Sequence, residues 1–356
     1  MKIRLFTFLL FLFFLIGCDD STSGSGNAVS ENPSTVVNPD SSIGSNDSSI
    51  TNREMQPEEA SSDSGEGKKS SSSKITPPSG FNPDAFLYNL KKPTAKYKLD
   101  TELKEISALS FVSEGQLAVI QDEKGKVYLF GEKEKDIIKE KKFEKKGDFE
   151  GIEIIGNTAF VLRSDGRLYK VEDYLSEDPK IEKYKTGLAP KNDTEGLGFD
   201  PVTGNLLIAC KSSPNLGDTD AYKSHRAIYA FDIKSNQLQQ KPFLLISLDT
   251  LNNHIKEGQL TTFSKEIIKT FKGDITFQPS GVAVHPITKK IYVIASVGKL
   301  LVIANRDGTL EAILSLDKDV FKHPEGITFA PNGDLYISNE GNNGKGNILR
   351  FNYQNQ

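Results

Sequence analysis

Cysteine is scarce in this chain: of 356 residues only Cys18 and Cys210 carry a thiol, which excludes a fold stapled by a framework of disulfides. Histidine is almost as rare, with four residues, His225, His254, His285 and His323. No His-Glu-x-x-His pair, phosphate-cradling glycine loop or nucleophile elbow is present, so the common local signatures of hydrolases and nucleotide enzymes are missing. A Ser/His/Asp triad stays open, because triads are spatial and not sequential. His285-Pro and His323-Pro read as polar surface rings in turns or at strand starts. Net charge is only −4, which gives no support for a nucleic-acid partner. The one long apolar run, Leu5 to Ile16, is too short to cross a bilayer as a mature helix.

That run follows the basic residues Lys2 and Arg4 and ends in Leu15-Ile16-Gly17-Cys18. The pattern resembles the lipobox of bacterial lipoproteins. The resemblance implies a signal peptide over 1–17, cleavage before Cys18, lipidation of its thiol and acylation (palmitate-type) of its amine. The expectation is a protein lipid-anchored to a bacterial membrane, inner or outer, with its folded part extracytoplasmic in the cell envelope. Asp19 does not decide the leaflet. Each buried CH₂ adds roughly 0.8 kcal/mol, so several acyl chains anchor firmly. With Cys18 taken by lipid, Cys210 has no intramolecular partner; it lies in the apolar run Asn205-Leu-Leu-Ile-Ala-Cys and reads as a buried structural thiol. From residue 18 to about 80 the chain is Ser, Gly, Asn, Asp and Pro with few large apolar residues, the composition of a disordered tether. Its mean reach is roughly 40–45 Å.

The remainder, 81–356, is repetitive. Ser107-Ala-Leu-Ser-Phe, Glu150-Gly-Ile-Glu-Ile-Ile, Glu195-Gly-Leu-Gly-Phe, Ser280-Gly-Val-Ala-Val and Glu325-Gly-Ile-Thr-Phe share one pattern, spaced by 43, 45, 85 and 45 residues. A period of 40–45 with four short strands per unit is the mark of a β-propeller. Turns at Asp200–Gly204, His285–Lys289 and Ala330–Asp334 occupy equivalent places, and Ser164-Asp165-Gly166 suits a tight turn. The chain stops after three strands of the last unit, so Tyr97-Lys-Leu-Asp100 is the expected donor of its fourth, closing the ring. The fold expected is all-β, a five-bladed propeller; the 85-residue gap leaves a six-bladed alternative. We read that gap as insertions in blade three, about 212–224 and 252–278, the second with helical spacing. The mixed Lys/Glu stretch from Glu132 to Asp148 reads as a solvated blade edge, with a basic docking patch as the alternative.

Asp148-Phe-Glu-Gly-Ile-Glu, Asp193-Thr-Glu-Gly-Leu-Gly-Phe, Pro279-Ser-Gly-Val-Ala-Val and Pro324-Glu-Gly-Ile-Thr-Phe-Ala-Pro-Asn-Gly-Asp-Leu-Tyr-Ile-Ser-Asn-Glu resemble the SdiA-regulated, YjiK-like family of bacterial propellers, distantly similar to NHL-repeat and gluconolactonase-type propellers. The resemblance covers about Lys96 to Tyr353. It implies a five-bladed ring, calcium bound at the propeller and no established enzymatic activity.

Equivalent positions in a propeller face one axis, so Glu150, Glu195 and Glu325 are expected to converge. Like charges about 4 Å apart cost about 4 kcal/mol even at an effective dielectric of 20, so either their pKa values rise or a cation sits among them. Oxygen ligands favour Ca²⁺, with Ser280 and Ser107 as further donors and Glu340 as a neighbour. No His or Cys shares the register, which argues against zinc. The bland alternative is ion pairing of these glutamates with Lys211 or Arg163, or capping of backbone N–H groups. Two functions remain: a calcium-stabilised binding or scaffold module for a small ligand or protein, and a metal-dependent hydrolase of lactonase or phosphoesterase type, in which Lys211 or Arg163 grips an anion.

Overall fold

Alternate residues of each central strand go to opposite neighbours. In the computed structural model Leu117 and Val119 pack toward the last blade while Ala118 and Ile120 pack toward the second. The same split occurs at Leu207 and Ala209 against Leu206, Ile208 and Cys210. A strand covered on both faces reads as a continuous apolar run, which explains why the period of two is invisible in these segments. The structure describes residues 87–256 and 276–354, all within the unit Ser73–Gln356. The expected signal peptide, Cys18, the whole tether and positions 257–275 lie outside the described residues.

The strands form five antiparallel sheets. Blade one is β2 (Ile106–Ser113), β3 (Gln116–Gln121), β4 (Lys124–Gly131) and β5 (Asp136–Lys146); the opening strand β1 (Ala95–Lys98) belongs elsewhere. Blade two is β6 (Phe149–Ile155), β7 (Thr158–Arg163), β8 (Arg167–Glu172) and β9 (Lys180–Lys185). Blade three is β10 (Thr194–Asp200), β11 (Asn205–Cys210), β12 (His225–Asp232), β13 (Gln237–Leu238) and β14 (Leu244–Ser247), followed by α1 (Leu248–Lys256). Blade four is β15 (Gln278–Val284), β16 (Ile291–Val297), β17 (Leu300–Ala304) and β18 (Leu310–Ser315). Blade five is β19 (Pro324–Phe329), β20 (Leu335–Asn339) and β21 (Asn347–Phe351), completed by β1, which pairs with β21 from Ala95↔Arg350 to Lys98↔Asn347. The protein is a five-bladed β-propeller closed by its N-terminal strand. The six-bladed alternative is ruled out: the long gap holds the broken outer edge of blade three and α1.

First strands pack in a ring: β2 on β6, β6 on β10, β10 on β15, β15 on β19 and β19 back on β2. In four blades a glycine follows the motif residue and lets the strands approach; blade one has Ala108 there. A Cβ at Gly151 would lie 2.6 Å from Leu197, one at Gly196 2.9 Å from the Val282 nitrogen, and one at Gly281 2.7 Å from the Glu325 carbonyl. Five wedge-shaped cores fill the space between neighbouring blades. Each fully buried Val, Leu, Ile or Phe in them contributes roughly 1.5–3 kcal/mol.

The Lys/Glu stretch forms the outer strand β5, and its charges pair locally: Lys126 with Glu140 at 2.7 Å, and Lys183 of the next blade with Glu144. This is the solvated edge expected, with its lysines interleaved among carboxylates. Cys210 is fully buried, and burial pushes its thiol up to about 12, so it is inert. Among the described residues no helix is long and apolar enough to cross a membrane.

Candidate functional site

The backbone singles out the motif residues before any side chain is considered. In every blade the pairing of first and second strands slips by one residue at the motif position. Ile106↔Gln121 is followed by Ala108↔Ile120, Phe149↔Arg163 by Gly151↔Leu162, and Thr194↔Cys210 by Gly196↔Ala209. The same happens at Pro279/Gly281 and Pro324/Ile327. Ser107, Glu150, Glu195, Ser280 and Glu325 are therefore bulge residues, or lie within the bulge. A bulge re-aims side chains and is favoured beside functional sites.

Just outside the bulge, four blades repeat one cross-strand contact. The residue two positions before the motif accepts a backbone N–H from the residue leaving the second strand: Asp122 to Glu105 (3.3 Å), Ser164 to Asp148 (3.0 Å), Lys211 to Asp193 (2.8 Å) and Glu340 to His323 (2.9 Å). Each of these blades thus offers a corner of three side chains at the same end of the ring: Glu105, Ser107 and Asp122; Asp148, Glu150 and Ser164; Asp193, Glu195 and Lys211; His323, Glu325 and Glu340.

Burial and charge act on all three motif glutamates, although their carboxylate oxygens do not all lie within 4.8 Å of one another. Burial first, then Glu195 and Asp148, push Glu150 up to about 10, with Glu325 adding to the effect. Burial and Glu195 push Glu325 up to about 8, tempered by the Ser296 hydroxyl, which donates to its Oε1 at 3.0 Å. Burial raises Glu195 to about 7, held back by an ion pair with Lys211. Asp122 rises to about 6 for the same reason of burial. The carboxylates influence one another through space. Only His323, Glu325 and Glu340, among the described residues, bring three potential ligand atoms within 4.8 Å of one another.

The other expected residues are placed as follows. Lys211 bridges Glu195 and, at 3.9 Å, Asp193. Arg163 does not share that register. It sits one residue earlier, opposite Phe149, and its guanidinium pairs with Asp165 at 2.8 Å; Ser164 takes the place equivalent to Lys211. A one-residue offset turns a side chain to the other face of a strand, which the sequence alone could not reveal. Ser280 and Ser107 spend their hydroxyl protons on the next blade, Ser280 on the Pro324 carbonyl (2.8 Å) and Ser107 on that of Phe149 (2.7 Å). His323, expected as a surface ring, stands across the strand pair from Glu340 and two residues from Glu325. The signal was the His-Pro-Glu spacing, legible only once β19 and β20 are aligned. Glu153, also unforeseen, lies deeper on β6 and joins three blades: its carboxylate accepts from Ser110 (2.9 Å) and from the Phe199 N–H (3.2 Å), and burial raises it to about 7.

The described parts of both elaborations of blade three lie at the mouth. Residues 211–224 connect β11 to β12 there, and buried Asn192 ties them down by donating to the carbonyls of Ser213 (2.8 Å) and Asn215 (2.9 Å). Helix α1 follows β14 on the same side, with Leu251 and Ile255 seated in the core between blades three and four.

Comparison with protein families matches residues 87–274 to the family described as SdiA-regulated. No curated protein matches the chain. Among solved structures, a luciferin-regenerating enzyme aligns at 12% identity over 73% of this chain and 95% of its own, with a TM-score of 0.44. A streptogramin B lyase aligns at 13% identity over 72% and 97%, TM-score 0.40. Myxococcus xanthus glutaminyl cyclase aligns at 10% identity over 73% and 95%, TM-score 0.46. Likeness at these values carries no inference about activity.

Proposed function

This chain belongs to the SdiA-regulated family, and from that premise we propose that it is a lipid-anchored, extracytoplasmic binding module whose propeller mouth holds calcium and recognises a small ligand or protein. The observation that carries the reading is the bulge repeated in every blade, which sets Glu150, Glu195 and Glu325 at equivalent positions, with Glu195 raising the pKa of both Glu150 and Glu325. Buried carboxylates in that state favour a hard cation, and the donor set is oxygen-rich, as Ca²⁺ requires. Glu150 and Glu325, which lack a lysine partner among the described residues, would supply charge; Glu195, neutralised by Lys211, would supply an oxygen at the rim. The mouth loop at 211–224 gives the reading its binding surface, since long loops on a regular scaffold carry specificity. The lipid anchor rests on the Leu15–Cys18 pattern.

The test is made on the purified full chain. Calcium is expected to raise the melting temperature of the wild type and to raise that of Glu195→Gln less; a wild type indifferent to calcium removes the ion from the reading. Labelled palmitate should enter the wild type and not Cys18→Ser. A panel of lactones and phosphoesters is run alongside. Chelator-sensitive turnover would replace the binding module by the hydrolase.

A further inference from the structure

Blades three and five build the same corner from different charges. In blade three the corner is Asp193, Glu195 and Lys211, and the cation is internal: the Lys211 ammonium pairs with Glu195 and lies 3.9 Å from Asp193. In blade five the corresponding residues are His323, Glu325 and Glu340, so the lysine has become a second carboxylate and the aspartate an imidazole. Among the described residues, no lysine or arginine forms an ion pair with Glu325 or Glu340. Lys299 of blade four turns its ammonium to the Lys322 carbonyl, at 2.5 Å, and among the described residues the hydrogen bond to the Glu325 carboxylate is the neutral one from Ser296. Lys211 and Lys299 act on Glu325 only through space, so among the described residues the corner that carries a paired cation in blade three has no such pair in blade five.

We propose that His323, Glu325 and Glu340 form a binding site for a divalent transition metal of the zinc class, off the axis and separate from the calcium position, with which it shares only Glu325. One imidazole and two carboxylates suit zinc better than calcium, whose ligands are oxygens. Their ligand atoms already lie within 4.8 Å of one another. Atoms bound to one zinc ion stand about 3.4 Å apart, given bonds of roughly 2.0–2.2 Å. His323 is exposed and Glu340 partly so, so side-chain rotation can close the difference. Three protein ligands leave a position for water or for a donor atom of a bound partner, the arrangement of an open rather than a structural zinc site.

The probe is the metal alone, on the purified full chain stripped by chelator. Zinc is titrated in competition with a chromophoric chelator, and cobalt is followed by its visible absorption. The wild type is expected to take up one equivalent by this route. His323→Ala and Glu340→Gln should each weaken binding by at least roughly 10–100-fold, the loss typical even for a residue one shell further out. Glu195→Gln, which acts on Glu325 only through space, should change zinc affinity far less than either. Wild-type affinity in His323→Ala overturns the assignment, as does a loss in Glu195→Gln equal to that in His323→Ala. His323 is exposed, so its replacement tests the site without disturbing the core. Loss of the calcium response with zinc binding intact removes the axial ion and leaves this site standing; the converse result does the opposite.

Discussion

Lys211 and Glu340 occupy the same place in two blades and carry opposite charges, and this one difference sets how each corner is neutralised. Glu195 is 7% exposed and stays near neutral pH in its titration only because the Lys211 ammonium offsets burial and the neighbouring carboxylates. Removing the ammonium strands a buried carboxylate beside Glu150 and Asp193. Uncompensated buried charges cost several kcal/mol; partial exposure of Lys211, and protonation of Glu195, bring the expected loss down to roughly 1–3 kcal/mol. Lys211→Met should therefore melt earlier than the wild type in chelator. It should also gain more from added calcium, because a dication then takes over the neutralising role. Calorimetric scans with and without calcium check this; an unchanged calcium increment in Lys211→Met would show that the lysine and the ion do not serve the same carboxylates.

At the scale of elements, the joint between the first and last blades is the point where a propeller can open. β1 and β21 are held by the ladder and by a polar network across the seam. Arg350 on β21 binds Asp334 through Nε (3.1 Å) and a terminal nitrogen (2.7 Å), and reaches Glu132 of blade one (3.0 Å), which also accepts from the Tyr97 hydroxyl on β1 (2.9 Å). Both carboxylates are nearly buried. Arg350→Met leaves both without a cation and should cost about 3–5 kcal/mol. Hydrogen exchange should speed up in 95–98 and 347–351 before it does in 205–210; uniform acceleration would mean that the ring melts without opening at this joint. The donor strand and the five repeats were legible in the sequence, because turn residues and apolar runs recur at fixed spacing. Register was not. Arg163 and Ser164 are adjacent, and only the observed pairing with Phe149 and Asp148 shows which one faces the mouth. His323 escaped notice for the same reason: its partner Glu340 is distant in sequence and near only across a strand pair.

For the whole molecule, the described chain begins at the turns between first and second strands, on the face opposite the mouth. It is pinned there by Tyr88, whose hydroxyl donates to the Gly333 carbonyl (2.6 Å) and meets His285 Nε2 (2.7 Å). His285 Nδ1 accepts the N–H groups of Ile287 and Thr288, both at 3.1 Å, so the ring is neutral with its proton on Nε2. Full burial, with Lys289 and Lys290 nearby, lowers its pKa from 6.5 to about 4. In the unfolded chain this histidine takes up a proton below about pH 6.5, while in the folded protein it stays neutral down to about 4. The unfolded state therefore binds more protons in that window, and the stability His285 contributes, complete above 6.5, is lost as pH falls toward 4. Between pH 7.5 and 5 the loss amounts to about 2 kcal/mol. The raised carboxylates act in the opposite sense, since a carboxyl such as Glu153 keeps its proton to a higher pH in the folded state and favours folding at low pH. The measurement is therefore a difference: the melting temperature at pH 7.5 minus that at pH 5, in the wild type and in His285→Gln. Carboxylate contributions are common to both proteins and cancel. The wild type should show the larger fall on acidification, by several degrees at roughly 2–4 °C per kcal/mol for a domain of this size. Equal falls would mean that His285 titrates alike in the folded and unfolded chain, and that Tyr88 does not hold it neutral.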